Sequence, residues 1–179
     1  MVGYGRDLLG EDRLDDTGAF EALVEFAIAL AGFTGVVVVF RRREGRLHPA
    51  DEIRVFMALL PTLACAFLAL LPVGLGMLGL APARVWLVSG IAFAAAVAAI
   101  LSAISFRVSR LPQEVRGVLS RPLSVLFYLL VGSMALTNLL SATVVIGLPP
   151  AGSYFFALLT LLVVGATVFA RIVFIRPSA

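Results

Sequence analysis

The chain has no lysine, one histidine and one cysteine. Each scarcity removes chemistry. A lone Cys65 and a lone His48 leave no structural zinc set, no c-type haem motif and no intramolecular disulfide. The long apolar runs contain no aspartate and no histidine, so neither an intramembrane aspartyl dyad nor a serine–histidine pair is available there, and axial ligation of haem from within a run is unsupported. No catalytic, cofactor-binding or metal-ligating residue is therefore assigned, and the chain reads as a non-enzyme without cofactor. Charged residues make up only 14% of it.

What the chain has instead is apolar length. Hydrophobic residues are 61% of the 179, and the mean hydropathy is +1.06, well above the roughly 45–50% apolar content of soluble domains. Five runs, at about 19–40, 55–80, 84–106, 123–148 and 153–175, each approach or exceed the ~20 residues a helix needs to cross hydrocarbon. They are continuously apolar where barrel strands would alternate over about ten residues, and backbone in lipid must be helical or closed. The expected fold is an all-α integral membrane bundle of five transmembrane helices, or four if the first segment is re-entrant. Residues 1–18 read as an acidic tail and 19–179 as one transmembrane domain. The tail carries Asp7, Glu11, Asp12, Asp15 and Asp16 against Arg6 and Arg13, the opposite of the basic flank of a secretory signal.

All fourteen basic residues are arginine, and eleven lie on alternate connections: Arg41, Arg42, Arg43, Arg46 and Arg54 after run one, Arg107, Arg110, Arg116 and Arg121 after run three, and Arg171 and Arg176 at the end of run five. The positive-inside rule then predicts the N-terminus outside and the C-terminus in the cytoplasm, with the chain in a cytoplasmic (inner) membrane. The pI near 9.7 follows from these topogenic arginines and does not point to nucleic acid. Arg41, Arg42, Arg43 and Arg46 are also candidate contacts for anionic lipid, at about 1 kcal/mol per cation near the surface.

Connections at Ala81–Arg84 and Pro149–Ser153 read as tight turns, His48-Pro49 as a helix start with proline at its first position, and Leu111–Pro122 as a short surface helix. Small residues mark the expected helix contacts. Gly90, Ala94, Ala98 and Ser102 make run three the expected central helix, while Ala27, Ala31 and Gly35 in run one form a seam for another span or for a second subunit in a homo-oligomer. Pro61 and Pro72 are eleven residues apart, close to three turns, so two missing backbone bonds open on nearly one face of a kinked run two.

Two polar features are candidates for function. Glu25 sits inside or at the edge of run one, where an acid is a functional-site hypothesis by default; it reads as an interfacial acid, an ion-pair partner of Arg84, or a pore-lining group. In run four, Ser133, Thr137, Asn138 and Ser141 share an arc of about 140°, which reads as interhelical glue or the polar wall of a small cavity. The stretch Ala31-Gly32-Phe33-Thr34-Gly35-Val36-Val37-Val38-Val39-Phe40, followed by Arg41-Arg42-Arg43, resembles small multi-pass membrane proteins of bacteria that carry no assigned function. That resemblance covers about a fifth of the chain and implies a bacterial inner-membrane setting and no activity. The role expected is that of a packing or accessory subunit, with a small oligomeric channel or carrier using Glu25 and the run-four arc as the alternative.

Overall fold

A computed structural model describes the backbone of residues 8–43, 49–110, 121–142 and 149–174, and the side chains of residues 18–40, 53–110, 129–141 and 149–174. Those residues form five helices and no strand: α1 (Leu8–Arg43), α2 (Pro49–Met77), α3 (Pro82–Ser109), α4 (Arg121–Ala142) and α5 (Pro150–Phe174). Four contain stretches long and apolar enough to cross a membrane, namely Gly18–Phe40, Ile53–Met77, Pro82–Ser109 and Pro150–Phe174. In α4 the described apolar stretch is Leu129–Ser141.

Helix limits follow from proline and glycine chemistry. Pro49, Pro82 and Pro150 each stand first in their helix, where the absent N–H would be unpaired anyway and φ is already helical. The connections read as Ala81–Arg84 and Pro149–Ser153 therefore give way to helix earlier than the sequence suggests, and Arg84 lies in the first turn of α3. At the end of α2, Gly79 takes φ 76°, the left-handed conformation open to glycine. The Leu80 N–H then donates to the Leu75 carbonyl (3.4 Å) and the Gly79 N–H to that of Gly76 (2.9 Å), which caps the helix three residues before the expected limit.

α1 departs most from expectation. Its described part runs unbroken from Leu8 through Gly18 to Arg43 for 36 residues, about 54 Å, so the acidic segment continues the helix. An unbroken helix also rules out a re-entrant hairpin within the first segment.

The helices pack as a ring with one addition. α2, α3, α4 and α5 each pack against the next and α5 against α2, while α1 lies outside the ring on α2 and, to a smaller extent, on α5. α2 and α5 share the largest interface. Tyr154 at the start of α5 meets Phe20 of α1 (centroids 6.3 Å) and Trp86 and Phe93 of α3 (each 6.0 Å). Arg107 at the end of α3 lies 4.0 Å over the Phe56 ring at the start of α2. Helices α1, α3 and α5 accordingly start at one end of the molecule, the tyrosine end, and α2 starts at the other, the arginine end.

The expected central role of run three is not what the structure shows. Along α3, Val85, Ser89, Phe93, Val97, Ile100 and Ile104 are buried; of the other small residues only Gly90 is buried, Ala94 and Ala103 are half-buried, and Ala95, Ala98, Ala99 and Ser102 are exposed. The small-residue face that matters lies on α2, where Ala58, Thr62, Cys65, Ala66 and Ala69 are all buried. A Cβ added at Gly165 of α5 would collide with Thr62 Oγ1 and stand 3.2 Å from the Ala58 carbonyl oxygen. The two backbones approach that closely because neither helix places bulk between them.

Candidate functional site

The buried polar groups lie between these helices. Pro72 has no N–H, so the Leu68 carbonyl one turn earlier loses its intrahelical donor. The Tyr154 hydroxyl donates to that same carbonyl at 2.7 Å. Helix α2 thus runs through Pro72 unbroken, and the orphaned oxygen is satisfied from α5, as an apolar surrounding requires. Pro61 and Pro72 are both buried, in keeping with their expected common face. Seven residues upstream of the proline, Cys65 donates to the Leu158 carbonyl across the same interface (sulfur to oxygen 3.4 Å). The Thr62 hydroxyl donates back to the Ala58 carbonyl at 2.7 Å, and Thr34 in α1 does the same to Leu30 at 2.7 Å.

The arc on α4 divides. Ser133 is exposed and donates to the Leu130 carbonyl of its own helix at 2.8 Å. Thr137 is half-buried, and Asn138 and Ser141 are buried inside the ring. The Asn138 amide oxygen and the hydroxyl of Ser89, on neighbouring α3, are both buried without a hydrogen-bond partner among the described residues. The arc is therefore a short inward polar patch with an outward edge.

Glu25 is exposed on α1, as is Arg84 on α3. They are not paired with each other: α1 and α3 each pack on α2 and share no substantial interface. Exposed Glu25 and the buried patch of α4 are not brought together either, since α1 and α4 share no substantial interface. The Ala27 seam turns toward the body of the chain, with Ala27 fully buried and Ala31 and Gly35 half-buried. Of the lipid-binding candidates, Arg46 lies outside the described residues, and for Arg41, Arg42 and Arg43 only the helical backbone is described. His48 and the stretch read as a surface helix, up to residue 120, also lie outside them. Among the described residues, no three of His, Cys, Asp or Glu gather as a metal-ligand group.

Sequence reasoning missed Tyr154, Ser89 and the α2 face. Pro72 was the available signal, since a proline in a span names the carbonyl four residues back as needing a donor. The spacing of Ala58, Thr62, Cys65, Ala66 and Ala69 is legible in the sequence too, although Pro61 interrupts the set. Comparison with protein-family models, with curated proteins and with solved structures returns no match, so the role of the chain rests on its own residues.

Proposed function

We propose that the chain is a multi-pass protein of a bacterial cytoplasmic membrane, N-terminus outside and C-terminus in the cytoplasm, acting as a non-enzymatic packing or accessory subunit. The observation that carries this reading is the outer surface. Large apolar side chains face outward on every helix, among them Phe26 (62% exposed), Phe67 (74%), Ile91 (52%), Leu129 (66%) and Phe156 (63%). Contiguous apolar exposure on that scale is tolerated by lipid and not by water. The arginines add direction: Arg54, Arg107, Arg110 and Arg171 sit toward one end of the helices, with Arg84 at the other, which supports the proposed orientation.

The interior favours packing over conduction, since the described buried polar residues are hydroxyls and one amide, with no carboxylate or guanidinium. The channel alternative would need Glu25 in a ring of several copies. Ion flux through the purified protein in liposomes separates the two. A packing subunit leaves vesicles tight, with wild type and Glu25→Gln alike. Flux that Glu25→Gln abolishes or reselects overturns the packing role.

A further inference from the structure

The Asn138 amide oxygen and the Ser89 hydroxyl are polar atoms that packing leaves unexplained. Both residues lie inside the bundle, Asn138 2% and Ser89 0% exposed. On a wheel of 100° per residue, Asn138 stands in the middle of the buried arc of α4, with Ser141 to one side and Val131 and Ala135 to the other. Ser89 stands between Val85 and Phe93 in the buried arc of α3. Each therefore turns into the ring of α2, α3, α4 and α5, in which α3 and α4 are packed neighbours. Depth agrees with direction. Ser89 lies along α3 between Trp86 and Phe93, whose rings both meet Tyr154, so it is level with the Tyr154 ring. Helix α4 follows α3, which ends at the arginine end, and precedes α5, which starts at the tyrosine end, so α4 runs toward the tyrosine end. Asn138 is four residues before the end of α4 and Tyr154 four residues after the start of α5, which sets both in the tyrosine-end layer of the ring.

The Tyr154 hydroxyl cannot satisfy Asn138, because its one proton is already given to the Leu68 carbonyl. An acceptor left bare in an apolar interior costs more than an ordinary hydrogen bond contributes, and buried polar atoms in this state are where internal water binds. We infer that one water molecule is bound between α3 and α4 in this layer, donating a hydrogen to the Asn138 amide oxygen and accepting the Ser89 hydroxyl proton. Two protein partners are the minimum that holds a buried water in place. The site is built for a neutral molecule and not for an ion, since the described buried polar residues include no carboxylate and no guanidinium. It joins α3 to α4 through a shared partner. The inference rests on the helix bundle alone and holds whether the chain packs or conducts.

Asn138 is the only asparagine in the chain, so full-length protein labelled with nitrogen-15 asparagine gives a single side-chain amide pair in a magnetic resonance spectrum. In detergent micelles those amide protons are expected to show direct cross-relaxation with water, of the sign that marks a long-held molecule, when read in both the laboratory and rotating frames to set proton exchange aside. Ser89→Ala removes one partner of the water and is expected to abolish that signal. The change suits a helix, so the loss reports the partner and not the fold. Ser133→Ala, at a hydroxyl bonded on the outer face of α4, leaves the signal as it is. Unfolding of the variants gives a second readout: Ser89→Ala costs much less once Asn138→Leu is in place, because the water is already gone. A wild-type amide without the water signal overturns the inference. A signal that survives Ser89→Ala does so too, as do costs that simply add.

Discussion

At the scale of single residues, the Pro72, Leu68 and Tyr154 set ties a defect in one helix to a repair from another. Tyr154→Phe keeps the ring against Phe20, Trp86 and Phe93 and removes only the donor to Leu68. It is expected to cost about 1 kcal/mol or somewhat more, since the acceptor is left unpaired in an apolar surrounding. Pro72→Ala returns an N–H to α2 and gives Leu68 a partner of its own, so in that background Tyr154→Phe costs much less. Unfolding in mixed detergent micelles across the four variants measures the coupling. Equal costs in both backgrounds exclude the repair. Ser133, by contrast, is exposed and bonded to its own helix, so its hydroxyl holds nothing between helices.

The helix scale shows how far patterns of small residues carry. Such a pattern states that a backbone can be approached closely, and not which neighbour does so. In α3 the row through Ala95, Ala98 and Ser102 is exposed, and the bulkier row through Phe93, Val97, Ile100 and Ile104 is buried. In α2 and α5 the small residues do face one another. Gly165→Ala drives a methyl into Thr62 and is expected to cost about 1–3 kcal/mol. Gly35→Ala meets nothing within 4 Å and is expected to be neutral or to stabilise by up to about 1 kcal/mol through helix propensity. Thermal inactivation of the two variants side by side checks the contrast, and a harmless Gly165→Ala would mean that α2 and α5 stand farther apart. The five described helices were legible in the sequence because continuous apolar length is a local property. Partner choice was not, because it depends on which faces meet after all five helices are in place. The candidate site was legible in part for the same reason: Asn138 and Ser141 stood out by composition, whereas Tyr154 became visible only through its contact with a second helix.

For the whole molecule, alternation of helix direction converts a list of arginines into an axis. Proposed as an orientation, it makes a sharp forecast. Val2→Cys in a Cys65→Ser background reacts with a membrane-impermeant thiol reagent added to intact cells, and Ser178→Cys reacts only after the membrane is opened. The reverse pattern places the arginine end outside and removes the positive-inside argument. The ring α2–α3–α4–α5 with α1 laid against it also explains why α1 is the least enclosed of the four long apolar helices: 17% of its most apolar stretch is buried, against 44% in α2.

The Tyr154 bond has a mechanical meaning as well. Sliding α5 along α2 by even one turn would carry the hydroxyl about 5 Å from its carbonyl, strand an oxygen in hydrocarbon and press Gly165 out of its niche at Ala58. Relative sliding of α2 and α5 is therefore penalised at two separate points of one interface, the Tyr154 bond and the Gly165 niche.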